Sequence, residues 1–397
     1  MDSPPAPGGL GTVYRIALLS NAMHQDSYAR AFARHPRLRI AAVIDEPGQE
    51  RYVAERNRAM AAQHGVPYVE TLDALGDPEI DVVSVGAQIE RRARLAIAAA
   101  QHGKHLWLDK PPASTATDAS AVADAVERAG VTALVFSHVE APWAVALRRA
   151  VASGALGDLT ALHLDFHFAK GNTLGLEGRK VPSGVGPRDQ WTFRDAGAAT
   201  DPTESTHNVI AKREIAEVGW YPLAHAHVLT APNAIRRVYA TAGAYFFPEH
   251  RDLGLEDFAT LTLTLDGGPV VTISTGRTGR RSHAGGGRMA VRAVGTRDTL
   301  ALDGGQPAIV VIGGDGAPTA PRSRPPAWGD ATGFDPLVDH FVSCLDGAAR
   351  PVLTARAAAQ LVAVLDAAYE SARRGTPVDV TPSTAGTMAG TTPGAVL

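Results

Sequence analysis

Four side chains able to carry charge or move a proton follow one another at four-residue intervals: Arg213, Glu217, Tyr221 and His225. Residues four apart share one face of a helix, so a helix through this segment would present all four to one cleft. Tyrosine and histidine there can serve as general acid or base, with His225 in reserve. The spacing also fits a surface ion pair between Arg213 and Glu217 beside a half-buried Tyr221.

A second polar group alternates with apolar residues in the segment Leu162–Phe168. His163, Asp165 and His167 would lie on one face of a strand, because side chains alternate with a period of two. Imidazole and carboxylate groups bind metals, but this spacing alone does not complete a ligand set. We therefore expect no metal site and interpret the three residues as the polar open face of a sheet, solvated or in a contact between subunits.

The turn after the first apolar segment is where a dinucleotide would bind in a doubly wound sheet. It reads Ser20, Asn21, Ala22, Met23, His24, Gln25. The G-x-G-x-x-G fingerprint would need glycine at positions 20, 22 and 25, and none of the three is glycine. The polar side chains of Ser20, Asn21 and His24, with the N-terminus of the next helix, can hold a pyrophosphate instead.

An acidic residue follows at the distance expected for ribose recognition. Asp45 lies 25 residues after Ser20, near the spacing of a carboxylate that hydrogen-bonds an adenosine ribose, which favours NAD over NADP. Asp45 could equally begin the turn Asp45–Gly48.

The elements around these residues divide the chain in two. Short β-branched runs alternate with Ala-rich helical stretches over residues 13–137, which predicts a parallel sheet with crossover helices. Residues 138–380 contain one long helical stretch from His207 to Leu229, several strands with hairpin-like glycine breaks and a final helix, which predicts an α+β domain with a mostly antiparallel sheet. Residues 1–12 and 381–397 lack periodic apolar residues, and we predict disordered tails.

Composition excludes several classes of protein. The chain has 397 residues, a formal net charge of −3 and one cysteine. We therefore expect no nucleic-acid partner, no disulfide framework and no thiolate metal cluster. The sequence shows neither a membrane-length apolar run nor a signal-peptide pattern, so we expect a cytoplasmic protein without a membrane partner.

Three segments resemble the Gfo/Idh/MocA family of oxidoreductases. HGKHLWLDKPPA (residues 102–113) resembles the family's AGKHVLxEKP, with Asp109 replacing the usual glutamate and Lys110-Pro111 intact. EVGWYPL (residues 217–223) is similar to its D-x-G-x-(H/Y) helix motif, with Glu217 and Tyr221 at the chemical positions. Residues 334–378 resemble its C-terminal helix pair.

The resemblance implies an α/β protein with an N-terminal Rossmann-type doubly wound parallel sheet and a C-terminal α+β domain built on a large, mostly antiparallel sheet. It implies hydride transfer between NAD, or NADP, and a carbinol carbon of a sugar, polyol or related compound. Lys110 and Tyr221 would be catalytic, with Glu217 orienting them. An ammonium at Lys110 would stabilise the phenolate of Tyr221 and so make it a base. The resemblance further implies a homodimer or homotetramer formed through the open face of the C-terminal sheet.

The departures from the family pattern concern the cofactor. The family's T-P-N-x-x-H segment aligns with Ala87–Arg92, which places Gln88 and Arg92 at its proline and histidine positions. We expect Gln88, Arg92, Asp109 and Lys110 to contact the cofactor with Asp45 and the turn residues, including Ala22 and Gln25. The alternative is a non-redox relative, either a cofactor-free partner subunit or an acid/base lyase or hydrolase using the same cleft.

The segment of about forty residues after Phe168 lacks a periodic pattern, and such long loops are often functional. Its donors and aromatic rings suit a polyhydroxylated or anionic ligand, although a solvated loop explains them equally well. The residues that we expect to contact substrate are Lys170, Trp191, His207 and His225.

Overall fold

The computed structural model describes residues 11–22, 24–168, 214–246, 250–251, 254–277, 287–303, 308–312 and 334–381. The predicted tails lie outside this part except for residues 11, 12 and 381. Lys170, Trp191 and His207 also lie outside it.

The N-terminal half forms a six-stranded sheet in the order β3-β2-β1-β4-β5-β6, with every neighbouring pair parallel. Its strands are β1 Tyr14–Leu19, β2 Leu38–Ile44, β3 Tyr68–Val69, β4 Val82–Val85, β5 His105–Leu108 and β6 Ala133–Val135. Its helices are α1 Gln25–Arg34, α2 Arg51–His64, α3 Ile89–Gln101 and α4 Ala116–Ala129. This strand order is that of the Rossmann fold, which confirms the predicted doubly wound sheet.

The apolar runs of the central strands explain this arrangement. Residues 16–19 of β1 and 82–85 of β4 are buried along their whole length. Strands covered by helices on both faces carry continuous apolar runs instead of alternating patterns. The carboxyl ends of β1 and β4 therefore lie side by side, where the turn after β1 meets the start of α3.

The C-terminal half forms an eight-stranded sheet in the order β13-β12-β11-β7-β10-β9-β8-β14, in which only β7 and β10 pair in parallel among the described strands. Its strands are β7 Leu159–Phe168, β8 Ile235–Gly243, β9 Phe258–Leu265, β10 Val270–Arg277, β11 Gly287–Gly295, β12 Thr299–Asp303, β13 Ala308–Ile312 and β14 Val378–Asp379. Its helices are α5 Pro142–Ala152, α6 Glu214–Glu217, α7 Trp220–Thr230, α8 Asp335–Leu345 and α9 Ala355–Arg374. The predicted α+β domain is thus confirmed.

One face of this sheet carries polar side chains, as predicted. Within it, His163 Nδ1 lies 2.6 Å from Thr272 Oγ1, and His167 Nε2 lies 3.0 Å from Ser274 Oγ. The described residues contain no group of three histidine, cysteine or acidic side chains that could hold a metal ion. No helix in the described part of the chain is long and apolar enough to cross a bilayer.

The last two helices complete the core of the first half. The Phe341 ring of α8 lies 5.5 Å from that of Trp107 in β5, and the Phe334 ring lies 5.7 Å from that of Tyr28 in α1. The backbone N–H of Val135 donates to the carbonyl oxygen of Leu353 at 3.1 Å, which extends the edge of β6. Residues far apart in sequence therefore share one hydrophobic core.

Candidate active site

Lys110 follows β5 at the carboxyl edge of the first sheet and meets the second half of the chain there. Its Nζ donates to the carbonyl oxygen and to Oε2 of Glu217, both at 2.8 Å. Burial lowers the pKa of an ammonium, but Glu217 outweighs this effect, so the pKa of Lys110 is raised. Burial raises the pKa of Glu217, and Lys110 outweighs it in turn, so that pKa is lowered. The two side chains form a buried ion pair.

Tyr221 lies against this pair. The Nζ of Lys110 is 5.0 Å from the centroid of the Tyr221 ring, and the ring stacks on Phe166 at 5.2 Å. Burial raises the pKa of Tyr221 to about 12, because it outweighs the lowering effect of the Lys110 charge. The expected lowering of this pKa is therefore not found, and Tyr221 is a neutral phenol at pH 7.

The expected single helix from His207 to Leu229 is interrupted in its described part. Helix α6 ends at Glu217 and α7 begins at Trp220, because the chain turns at Gly219. A Cβ at Gly219 would lie 2.4 Å from the carbonyl oxygen of Ile215, so this close turn requires glycine. Glu217 and Tyr221 thus belong to different helices, and the turn brings both to Lys110.

Asp109, next to Lys110, lies at the centre of a buried polar cluster. Its carboxylate accepts hydrogen bonds from Tyr28 Oη at 2.7 Å and Arg92 Nη2 at 2.9 Å, and His24 Nδ1 lies 3.0 Å from both oxygens. Burial alone raises the pKa of Asp109, but the charges of Arg92, His24 and Lys110 outweigh it and hold the pKa well below its usual value. These contacts hold Asp109, and with it the neighbouring Lys110, in position.

Arg92, which we expected to contact the cofactor, is engaged inside the fold. Arg92 is buried, and its guanidinium donates to the carbonyl oxygens of Ala87, Lys110 and Pro111 as well as to Asp109. All three nitrogens are engaged, so Arg92 holds the segment that carries Lys110 instead of facing a ligand.

The turn after β1 keeps glycine-like geometry without glycine. Ser20 has φ +64°, a left-handed conformation that costs a non-glycine residue about 1–3 kcal/mol. Its buried Oγ has no hydrogen-bond partner within the described part of the chain. Asn21 is fixed by its backbone N–H to Asn57 Oδ1 at 2.8 Å, and the N–H of Ala22 donates to the carbonyl oxygen of Gly86.

Gln25 replaces the third glycine of the fingerprint and fills the gap between α1 and β4. Its Nε2 donates to the carbonyl oxygen of Ser84, and its Oε1 accepts from the Ser84 hydroxyl, both at 3.0 Å. A Cβ at Gly86 would lie 2.4 Å from Gln25 Oε1. A glycine directly after β4 therefore accommodates the larger residue on the helix.

This turn fits a dinucleotide phosphate. The backbone N–H groups of His24, Gln25 and Asp26, at the start of α1, donate to no described residue. A helix N-terminus with open N–H groups attracts an anion. The side chain of His24 is one-third exposed at the same place.

Comparisons with known proteins agree with this geometry. An oxidoreductase family with an NAD-binding Rossmann fold matches residues 19–137, and the C-terminal alpha/beta domain of the same family matches residues 226–380. The chain belongs to the Gfo/Idh/MocA oxidoreductase family. The predicted resemblance is thereby confirmed, together with the NAD-binding character of the first domain.

Individual relatives of this Gfo/Idh/MocA member are distant. A dehydrogenase of Aspergillus oryzae is 32% identical over 28% of this chain and 31% of its own length, so the chain spans about a third of that relative. D-apiose dehydrogenase of Paraburkholderia graminis is 25% identical over 82% of this chain and 80% of its own length. An NAD binding oxidoreductase from Klebsiella pneumoniae has a similar fold, with a TM-score of 0.72 at 20% identity, over 93% of this chain and all of that one.

Two further predicted residues of the Gfo/Idh/MocA site, Asp45 and His225, are engaged inside the fold. Asp45 is 0% exposed and accepts hydrogen bonds from Arg91, from Asn57 Nδ2 at 2.9 Å and from the N–H of Glu46 at 2.8 Å. A ribose at the end of β2 would meet Arg91 and Glu46 before the Asp45 carboxylate. Gln88 supports this arrangement by accepting from Arg91 Nη1 at 2.8 Å.

His225, expected as a reserve acid or base, lies away from Lys110 and Glu217. It lies one turn after Tyr221 but packs on Trp143, with ring centroids 4.8 Å apart. Burial, assisted by Arg148, lowers the pKa of His225 to about 3. No described contact joins it to Lys110 or Glu217, so it is a neutral core residue and does not serve as a reserve acid or base.

Two residues beside Tyr221 were not predicted from the sequence. The ring of His138 lies 4.8 Å from the Tyr221 ring, and Arg277, at the end of β10, lowers the pKa of Tyr221 through its charge. Neither residue is separated from Tyr221 by a number of residues that would predict a contact. Only the packing of the two halves of the chain brings the segment after β6 and the end of β10 close to Tyr221.

Proposed function

We propose that this protein is an NAD-dependent oxidoreductase that transfers a hydride to or from the carbinol carbon of a small hydroxylated compound, a sugar or polyol, with Lys110, Glu217 and Tyr221 at the reaction centre. One observation carries the proposal. The ammonium of Lys110, at the carboxyl edge of the first sheet, is held by Glu217 beside the phenol of Tyr221 in the second half. A cation and a proton donor at the cleft are what interconversion of a carbinol and a carbonyl requires.

Lys110 stabilises the reacting oxygen. An ammonium has three N–H groups, and Glu217 accepts two of them. The third is left for the substrate oxygen. Because the pKa of Lys110 is raised, the charge persists at neutral pH and favours the alkoxide that develops as the carbinol loses its proton.

Tyr221 moves the proton. With a pKa of about 12, its phenol donates a proton to a carbonyl oxygen during reduction. The reverse reaction needs the phenolate, so oxidation should accelerate as the pH rises above neutral. A nicotinamide bound beside the ends of β1 and β4 supplies or accepts the hydride.

The experiment begins with calorimetric titration of the purified protein with NAD, NADH, NADP and NADPH, followed by a spectrophotometric screen of sugars and polyols. Lys110→Ala and Tyr221→Phe should each lower kcat by about two decades or more, because each removes a group used in proton transfer. Tyr239→Phe is the matched control, since Tyr239 lies exposed on β8.

Near-normal turnover in Tyr221→Phe would remove Tyr221 from the mechanism. Failure to bind any nicotinamide cofactor would favour the non-redox alternative, a partner subunit or an acid/base lyase or hydrolase. The association of subunits through the open face of the second sheet stays a prediction.

A further inference from the structure

Arg277 is a second cation beside the cleft, and the proposed mechanism does not use it. It is 4% exposed at the end of β10, where it pairs with Phe168 at the end of β7. Its guanidinium carbon lies 5.9 Å from the centroid of the Phe168 ring, and that ring lies 6.0 Å from the Tyr221 ring. Arg277 and the proposed proton donor, Tyr221, therefore lie beside the same ring, that of Phe168.

The backbone fixes the position of this arginine. Gly276 has φ +152°, and a Cβ there would lie 2.4 Å from the carbonyl oxygen of Asp257. The N–H of Arg277 donates to the same oxygen at 2.8 Å. Only glycine permits this approach, so the end of β10 is held in a conformation that an ordinary strand would not adopt.

The guanidinium is only partly bonded. Its Nε donates to Oε1 of Glu214 at 2.8 Å, and the other carboxylate oxygen of Glu214 has no hydrogen-bond partner within the described ranges. In the part of the chain that the structure describes, neither Nη atom of Arg277 has a hydrogen-bond partner. These N–H groups are therefore available to an anionic ligand.

Glu214 and Glu217 begin and end the same short helix, α6. Glu217 holds Lys110, and Glu214 holds Arg277. The N–H groups of Ile215 and Ala216 are anchored in turn by Glu256 and by the Tyr369 hydroxyl. One anchored helix therefore sets the positions of both cations relative to Tyr221.

We propose that Arg277 binds a carboxylate of the substrate, so that the substrates are hydroxy acids such as aldonic or uronic acids and not neutral sugars. The inference rests on the proposed function and specifies its substrate class. A guanidinium with one edge engaged presents its remaining N–H groups as a planar fork, which matches a carboxylate in two parallel hydrogen bonds. Lys110 at the reacting oxygen and Arg277 at the carboxylate fix which carbinol reacts.

The test compares matched substrates with the full-length protein and NAD. A hexuronate is compared with its parent hexose, and an aldonate with its alditol. The acid should have a KM at least roughly tenfold lower than its neutral twin, because only the acid makes the charge-assisted pair. Arg277→Gln should raise KM for the acid about tenfold or more and change KM for the neutral twin less than about twofold.

Two further variants keep the result interpretable. Arg292→Gln removes an exposed arginine from β11, which β7 separates from β10, and is the matched control. If Arg277→Gln does not fold because Glu214 is left without its partner, the double variant Glu214→Gln with Arg277→Gln replaces the ion pair by two neutral amides.

Equal KM values for acid and neutral twin in the wild type, or equal rises in Arg277→Gln, would overturn the proposal. Preference for a sugar phosphate over the acid would overturn the assignment to a carboxylate. If no compound is turned over, the proposed function fails on its own. Calorimetric titration with the acid then tests the carboxylate site. Binding of the acid that Arg277→Gln abolishes would support the carboxylate site, and absence of such binding would refute it.

Discussion

The contact between Gln25 and Gly86 gives a stability prediction that needs no substrate. Gly86→Ala places a Cβ 2.4 Å from Oε1 and 2.8 Å from Cβ of Gln25. Real Cβ atoms do not approach so closely, and Gln25 is held by two hydrogen bonds to Ser84. Either the Gln25 side chain leaves its site or α1 moves away from β4.

The loss of stability caused by Gly86→Ala follows from those two outcomes. Overpacking of a buried site costs about 1–3 kcal/mol, and loss of a hydrogen bond costs about 1 kcal/mol more. We therefore expect Gly86→Ala to lower the free energy of unfolding by about 2–4 kcal/mol. In a Gln25→Gly background, which removes the Cβ of residue 25 as well, the new methyl group meets no atom of that side chain, so the same change should cost less than about 1 kcal/mol.

Urea denaturation followed by circular dichroism measures both values as a double-mutant cycle. Gly76→Ala is the matched control, because a Cβ there would meet only His102 at 3.7 Å, an ordinary contact. If Gly86→Ala and Gly76→Ala lower the free energy of unfolding equally, or if the Gln25→Gly background brings no relief, then Gly86 does not accommodate the side chain of Gln25.

Two further predictions concern protonation and cofactor choice. The pKa of His225 is about 3 in the folded chain and near its ordinary value of about 6.5 when unfolded, so below pH 6.5 the unfolded chain binds the extra proton. Stability should fall with pH from about 6.5 downwards, by about 2 kcal/mol at pH 5, and urea titration at several pH values should show this loss in the wild type and not in His225→Phe. Arg91→Gln should weaken NADP binding about tenfold more than NAD binding, because it removes the cation at the end of β2 and leaves Asp45 and Glu46 to accept from a ribose. Fluorescence titration measures both affinities, and equal losses would contradict the assignment.

The first sheet was predictable because local patterns specify it. The alternation of short β-branched runs and helical stretches over residues 13–137 corresponds to the observed alternation of strands and helices. Lys110 was predicted from the resemblance of its segment to the family motif, and the structure places it two residues after the buried end of β5.

The rest of the site depends on contacts that no spacing encodes. Arg91 pairs with Asp45 across 46 residues, and Gln25 meets Ser84 across 59 residues. The interruption at Gly219 follows from the close approach of the Ile215 carbonyl, which a helical periodicity cannot reveal. Long-range pairs of this kind decide whether a polar residue faces a ligand or bonds to other residues inside the fold.

The packing of α8 on the first sheet constrains the order in which the chain acquires structure. Trp107 and Tyr28 are covered by Phe341 and Phe334, which follow more than 200 residues after them in the sequence. During synthesis the nucleotide-binding half therefore stays incompletely packed until almost the entire chain has been synthesised. A fragment ending near residue 137 would expose these rings to water, and the nucleotide-binding half would depend for its stability on the C-terminal half.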